Sequence, residues 1–260
     1  MSNHPTKSPR QMPLPDDAEI TFDTIAGDWG IHQLKRGHRF SADDMLTAWL
    51  ACELAPEATL QLDLGAGIGS VGLMSLWRLP PHARLVMVEA QTVSHELAKR
   101  SVAANGLEER VELRLGDLRD PASVPERDHF PLVTGSPPYI PPGRGVASPH
   151  PQRAACRMEL RGDIFDYAAT AARAVTPDGL FVFCHAASDP RPEQALAAAG
   201  LHLRVRQEVY FRASQAPTIA LFAAGRAPAP AVPRAPLVIR DADGVFTEDY
   251  MALRAAMGAI

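Results

Sequence analysis

Between Thr59 and Arg78 the sequence TLQLDLGAGIGSVGLMSLWR changes its hydrophobic period from two to that of a helix across Gly65, Gly67 and Gly69. This reads as a strand entering a helix through a turn suited to glycine, which reaches positive φ without a Cβ clash. The rest of the chain repeats the alternation. Short β-rich runs at 59–64, 84–89, 110–117, 130–135 and 180–185 are interleaved with helical runs at 70–78, 92–106, 163–175 and 192–200. Such alternation predicts an α/β fold, a parallel sheet with helices on both faces. Another helical run, MLTAWLACEL at 45–54, precedes the first of these strands. The last two β-rich runs, 201–211 and 217–225, have no helix between them and should pair as an antiparallel hairpin. Asn105-Gly106 and Gly200 are placed as helix stops, and Thr176-Pro-Asp-Gly179 as a turn before the next strand. Within 163–175, Ile164, Tyr167, Ala168, Ala171, Ala172 and Val175 share the face that should pack on the sheet.

At 260 residues and 46% hydrophobic composition the chain can bury one substantial core. Three parts are expected: a disordered tail over 1–19, an α/β domain over 20–225, and a C-terminal part over 226–260. The last begins with the stiff proline-rich linker RAPAPAVPRAP, then adds a short strand, LVIR, and a helix from about 247, packed on the domain. A net charge of −4 argues against a protein that coats nucleic acid with its whole surface, so any RNA binding must use a local basic patch. Cys52, Cys156 and Cys184 lie far apart, and the histidines show no HxxH or HExxH spacing, so neither a disulfide framework nor a metal site is expected. Trp49 and Trp77 fall in helical patterns and are expected in the core. The N-terminus lacks the apolar run of a signal peptide, and no segment reaches membrane-span length. These features lead to the expectation of a soluble cytoplasmic protein, monomeric or homodimeric.

The chemistry begins at the glycine turn, which brings backbone close to a ligand while the helix N-terminus presents free N–H groups. Glu89 closes the next strand, twenty residues after Gly69, where a carboxylate can accept both hydroxyls of a ribose. A nucleoside-containing ligand follows. Gly67-Ile-Gly-Ser-Val-Gly72 also fits a dinucleotide-binding pattern, but there the first glycine should follow the strand directly, and here Gly65 and Asp63 intervene. Asp63 would repel a pyrophosphate, whereas a sulfonium or ammonium suits it. The series Asp63, Gly65, Gly67, Gly69 instead resembles the first motif of class I S-adenosylmethionine-dependent methyltransferases. Asp117 and Leu118, after the third strand, offer a third ligand point if the carboxylate takes the adenine amino group; the competing reading is an ordinary turn aspartate.

A second constellation, GSPPYIPPGRG at 135–145, follows the fourth strand. Ligands of open α/β sheets bind at the carboxyl ends of strands, so this segment should face the same crevice as the glycine turn. Ser136-Pro137-Pro138-Tyr139 matches the motif of amino methyltransferases that act on planar nitrogen. Such a nitrogen is a weak nucleophile because its lone pair is delocalised. Two acceptors on its hydrogens, the Ser136 hydroxyl and the Pro137 carbonyl, would stabilise the positive charge that develops as a methyl arrives. The prolines fix φ and hold these acceptors in place. Tyr139 would stack on the substrate ring, worth roughly 1–3 kcal/mol per base.

With these residues in view, the chain resembles the tRNA1(Val) adenine-N6 methyltransferase family over nearly all of residues 21–257. Beyond the two motifs, the likeness rests on Arg36-Gly-His-Arg-Phe-Ser-Ala-Asp43, on SPHPQRAACR at 148–157 and on the ending LVIRDADGVFTEDYMALRAAM. The resemblance implies a Rossmann-like fold with a seven-stranded, mostly parallel sheet and a C-terminal antiparallel hairpin. It implies S-adenosylmethionine as methyl donor and an adenine of tRNA, next to the anticodon, as acceptor. It further implies that the 36–43 segment closes over the donor, giving Arg39 and Asp43 a part in holding it. Lys35, Arg36, Arg144, Arg153 and Arg157 would meet the RNA, with Arg161, Arg204, Arg206 and Arg212 extending the basic rim. The adenine would have to turn out of its loop to reach the pocket. One departure stands out: the family usually carries Asn where this chain has Ser136, a shorter group that must rotate to accept. Pro-Pro-Tyr-Ile-Pro also resembles the release-factor glutamine methyltransferases, whose long helical N-terminal domain finds no room before residue 45. A third reading, motivated by Ser136, is a donor-binding interaction protein without catalysis.

Overall fold

A computed structural model of the chain describes residues 13–14, 17–139, 150, 152, 156 and 158–259. Its elements run β1 (Ile20–Ala26), β2 (Trp29–Leu34), α1 (Ala42–Leu54), β3 (Leu60–Leu64), α2 (Ser70–Arg78), β4 (Arg84–Glu89), α3 (Thr92–Ala104) and β5 (Val111–Leu115). There follow β6 (Phe130–Gly135), α4 (Ile164–Ala174), β7 (Val175–Ala186), α5 (Arg191–Ala198), β8 (His202–Tyr210), β9 (Ile219–Gly225), β10 (Leu237–Val238) and α6 (Glu248–Ala256).

The large sheet has the order β10-β8-β9-β7-β6-β3-β4-β5. Strands β5, β4, β3, β6 and β7 are mutually parallel, and β9 pairs antiparallel with both β7 and β8, as expected for the closing hairpin. The chain enters at β3, winds outward through β4 to β5, then crosses to β6 and continues the other way. The carboxyl ends of β3, β4, β5 and β6 therefore open on one edge, and the reversal of direction between β3 and β6 leaves a crevice there.

The parallel strands are covered on both faces, so alternate side chains enter different cores. On one face Leu85 and Met87 meet Leu46 and Leu50 of α1, Leu73 and Leu76 of α2 and Leu97 of α3. On the other, Leu62, Leu64, Val86 and Val88 meet Ile164, Tyr167, Ala168 and Ala171 of α4 and Leu196 of α5. Helix α4 starts where a capping box directs it: the Asp163 carboxylate accepts from the backbone N–H of Phe165 and Asp166, while Asp166 accepts from that of Asp163. Such a cap is worth about 1 kcal/mol. Helix α3 stops at Asn105, and Gly106 follows at φ 66°.

Two expectations need correction, and one element was not anticipated. The large sheet has eight strands, not seven, because β10 adds parallel to the outer edge of β8. Thr176–Gly179 is not a separate turn: β7 begins at Val175, and the ladder passes from Phe130↔Val175 to Leu132↔Leu180 with these residues bulged between. The unanticipated element, the antiparallel hairpin β1–β2, precedes α1. Its partners are distant in sequence: the Asn105 side chain bonds both Gly30 N and Gly30 O, and Ser101 Oγ accepts from His32 N.

Most of the 1–19 stretch lies outside the described residues, but Leu14 and Ala18 pack against the core and the Glu19 carbonyl accepts from Lys35 N. The 226–236 segment runs beside β8, with Val232 N donating to Arg204 O and Gln207 Nε2 to Ala235 O. A proline-rich strap with β10 at its end covers an edge that would otherwise offer unpaired backbone groups. Tyr250, Leu253 and Met257 then bury into the core beside α1 and α2. Among the described residues no helix is long and apolar enough to cross a membrane.

Candidate active site

The crevice at the carboxyl edge is lined by Asp63, Gly65, Gly67, Glu89, Leu118, Ser136 and Pro138 together, so the glycine turn and the Ser-Pro-Pro-Tyr segment face one space. An adjoining cavity is lined by Arg39, Asp43, Ser136, Pro137 and Tyr139. Among the described residues, four border both spaces: His38, Asp44, Ser136 and Cys156.

In the turn, Gly65, Gly67 and Gly69 take φ of 60°, 59° and 92°. They are not equivalent. A Cβ on Gly65 would lie 1.9 Å from the Tyr167 hydroxyl, whereas one on Gly67 would meet no atom of the described residues within 4 Å. Gly69 ends the turn in the left-handed region at the start of α2.

Asp63 is buried, directly opposite Thr134 on the neighbouring strand. Its carboxylate accepts from Thr134 Oγ1 at 2.8 Å and from Gly72 N at 3.1 Å, tying β3 to β6 and to the first turn of α2. Burial pushes its pKa up to about 7 against these two bonds, and the charge of Glu89 adds to the rise. Glu89 ends β4 with one oxygen accepting from Gly67 N at 2.8 Å and the other from Gln91 N at 2.6 Å. Burial raises this carboxyl too, opposed by the Gln91 and Gly67 bonds and by the charge of Arg161. Each oxygen keeps a lone pair for a hydroxyl donor.

Not every expected residue reaches the crevice. Leu118 does, but Asp117 is engaged by Arg119, whose Nε and terminal nitrogen donate to its two oxygens at 2.9 and 2.6 Å. Burial works to raise the Asp117 pKa, yet the Arg119 hydrogen bonds outweigh it and hold the carboxyl below its ordinary value. Arg39 and Asp43 line the adjoining cavity rather than the space beside the glycines. Arg39 is anchored on the hairpin through Thr21 Oγ1 at 3.0 Å and Asp23 at 3.1 Å. The residues that do enter beside the glycines from this segment are His38 and Asp44. Asp44 accepts from Ser41 N at 3.0 Å as part of the α1 capping box, and burial, reinforced by the charge of Asp43, pushes its pKa up to about 7.

Ser136 Oγ lies 3.5 Å from Cys184 Sγ, a weak partner that leaves the hydroxyl available to accept. Pro137 is buried, and Tyr139 stands edge-on to His185 with ring centroids 5.8 Å apart. His185 is fully buried, and burial lowers its pKa to about 4. It is therefore neutral at physiological pH.

Of the residues expected to meet RNA, Lys35 and Arg36 are exposed at the end of the hairpin, Lys35 paired on the surface with Glu19. Arg144, Arg153 and Arg157 lie outside the described residues. Arg204 and Arg206 sit on β8 and bond to the carbonyls of Ala227 and Ala187, away from the crevice lining. Arg161 and Tyr167, by contrast, line the crevice. The helix period of 163–175 marked Tyr167 only as a packing residue, and Arg161 was grouped with the basic rim.

This arrangement fits a cationic nucleoside ligand: buried carboxyls at Asp44, Asp63 and Glu89, an open cradle at Gly67, and Glu89 and Leu118 facing the same space from the sheet edge. Comparison with known proteins agrees. Residues 36–145 match the family model described as methyltransferase small domain. The tRNA1(Val) (adenine(37)-N6)-methyltransferase of Salmonella enteritidis is 30% identical over 222 residues, covering 82% of this chain and 84% of that protein. The chain belongs to the tRNA1(Val) (adenine(37)-N6)-methyltransferase family. The member from Cronobacter sakazakii is 29% identical over 215 residues, with the same coverage of 82% and 84%. Among solved structures, a predicted O-methyltransferase of Agrobacterium tumefaciens superposes with a TM-score of 0.61 at 22% identity, covering 84% of this chain and 98% of that one. The 16S rRNA N2 methyltransferase of T. thermophilus, solved with AdoMet and guanosine, gives 0.56 at 20% identity, covering 83% and 52%. These two show the fold: family membership here goes with a Rossmann-like methyltransferase architecture. Membership of that family, with the methyltransferase small-domain match, bears out the expectation of a methyltransferase dependent on S-adenosylmethionine.

Proposed function

We propose that this protein transfers a methyl group from S-adenosylmethionine to the exocyclic N6 of an adenine in tRNA. The observation that carries this reading is the shared crevice: Gly67 and Glu89 line it from one strand pair, and Ser136 and Pro138 from the next. When bound, the donor supplies an electrophilic methyl on a positively charged sulfur.

Glu89, fixed by Gly67 N and Gln91 N, takes the ribose hydroxyls. Asp63 and Asp44 lend negative potential to the space where positive charge must rest. Leu118 packs against the adenine of the donor. In the adjoining cavity Tyr139 stacks on the target base, held in place by the His185 edge. The Ser136 hydroxyl and the Pro137 carbonyl accept the two N6 hydrogens. Their partial negative charge stabilises the cation that develops on nitrogen, and the proline φ angles mean little reorganisation is needed when it does.

Within this reading, residues 20–225 form the catalytic domain and 226–260 strap its far edge. Arg39 and Asp43 act on the acceptor side of Ser136, and Lys35 and Arg36 contact RNA phosphates together with Arg144, Arg153 and Arg157. A tRNA substrate implies that the protein works in the cytoplasm.

The direct test is to incubate the protein with donor and total tRNA, digest the RNA, and look for N6-methyladenosine by mass spectrometry. Methyl groups appearing only in release factors added to the same reaction would overturn the RNA assignment.

A further inference from the structure

Arg161 lies two residues before Asp163, the N-cap of α4, and lines the crevice with Gly65, Glu89, Leu118 and Tyr167. Its Nη1 is buried with no hydrogen-bond partner among the described residues. A guanidinium carries five donors and no acceptor, so an unmet buried N–H on it is costly unless something arrives to accept.

The carboxylates around it do not fill that need. Arg161 acts electrostatically on both Glu89 and Asp117. Yet it forms an ion pair with neither, because Glu89 is engaged by Gly67 N and Gln91 N, and Asp117 by the Arg119 fork. Glu89 and Leu118 mark the ribose and adenine ends of the donor site in the reading above. The free N–H therefore sits beside the adenosine half, with Glu89 held by two backbone N–H groups and the Leu118 side chain unable to accept. Ring nitrogens and ribose oxygens of an adenosine are acceptors, which is the missing complement.

We infer that Arg161 is a donor-binding residue, its guanidinium donating to acceptor atoms of the adenosine half of the methyl donor rather than to RNA phosphate. The inference rests on the donor site proposed above.

Calorimetry with S-adenosylhomocysteine and with 5′-methylthioadenosine, which keeps only the adenosine half, tests it on wild type, Arg161→Lys and Arg161→Met. Arg161→Met should bind both compounds 10- to 100-fold more weakly and by the same factor, with Arg161→Lys in between and the affinity for tRNA unchanged. Equal affinity of wild type and Arg161→Met for S-adenosylhomocysteine, or a loss confined to tRNA, overturns the inference. Should Arg161→Met fail to fold by circular dichroism, Arg161→Lys decides: it keeps the charge but not the planar fork, and unchanged affinity there counts against the assignment. If wild type binds neither compound, the donor site itself is wrong, a separable failure.

Discussion

Three glycines with nearly the same backbone provide a controlled experiment on the glycine turn. Gly65, Gly67 and Gly106 have φ of 60°, 59° and 66°. Alanine at any of them costs about 1–2 kcal/mol for holding an L side chain in the left-handed region. At Gly106, after α3, and at Gly67 a new Cβ meets no atom within 4 Å, so nothing adds to that cost. Gly65→Ala sets its Cβ 1.9 Å from the buried Tyr167 hydroxyl, and forcing that ring aside adds roughly 1–3 kcal/mol. Gly67→Ala and Gly106→Ala should therefore lower the melting temperature equally, by about 2–8 °C, with Gly65→Ala clearly lower. Donor binding separates the two open positions. Gly67 lines the crevice, as Gly106 does not, and in the proposed reading accommodating its new methyl costs a bound donor about 1–3 kcal/mol, or about five- to 150-fold in affinity. Gly106→Ala should bind S-adenosylhomocysteine like wild type. Equal affinity of Gly67→Ala and Gly106→Ala in calorimetry would refute the claim that the donor lies over the turn.

Ser136→Ala should lower turnover about tenfold or more while leaving the donor dissociation constant unchanged, since the hydroxyl serves the acceptor side only; parallel loss of donor affinity would contradict that role. Glu89→Ala should weaken S-adenosylhomocysteine binding about tenfold to hundredfold, the scale of one or two charge-assisted hydrogen bonds, and unchanged affinity would remove Glu89 from the ribose site. Asp44 and Asp63, each raised to about 7, are neutral below that pH and ionised above it. The affinity for S-adenosylmethionine should accordingly rise between pH 6 and 8, more than that for the uncharged-sulfur product, and a flat profile for both would discount these carboxyls. For the protein without donor the sign is opposite: a carboxyl raised from 3.8 to about 7 contributes stability that is lost as pH rises through 7, so the melting temperature should fall from pH 5 to 8.

What the sequence made legible were strings that lie at strand ends. Asp63 to Gly69, Glu89, Leu118 and Ser136 to Tyr139 each follow a run of strand pattern, and a parallel sheet brings such ends to one edge without further information. Side-chain direction was not legible. Asp43 and Asp44 are adjacent, and only the capping box, in which Asp44 turns back to Ser41 N, decides that Asp44 enters the space beside the glycines. Asp117 has the expected position, but Arg119 two residues later takes its carboxylate, a local competition the strand pattern does not register. The hairpin β1–β2 depends on Asn105 and Ser101, some seventy residues downstream, and a contact of that kind leaves no periodic trace. Arg161 and Tyr167 enter the crevice because α4 docks on the far face of the sheet, so their role follows from packing rather than spacing.

The two spaces at the sheet edge have different electrostatic demands, and the residues between them explain how one site can meet both. Beside the glycines, buried carboxyls at Asp63 and Glu89 favour a cation. On the other side Tyr139, backed by the buried, neutral His185, offers an aromatic ring to a flat base. A methyl passing between them carries positive charge from sulfur to nitrogen, so the groups at the boundary should accept that charge rather than repel it. Among those that border both spaces, Ser136 presents a hydroxyl oxygen and Asp44 a carboxyl that is largely ionised only above pH 7. Neither requires a side chain to move far, because Ser136 is fixed by the strand end before it and the prolines after it, and Asp44 by its cap. In the proposed reaction, a Ser in place of Asn thus shortens the reach on the acceptor side but leaves the direction of charge transfer unchanged, which is why loss of that single hydroxyl should slow methylation without loosening the donor.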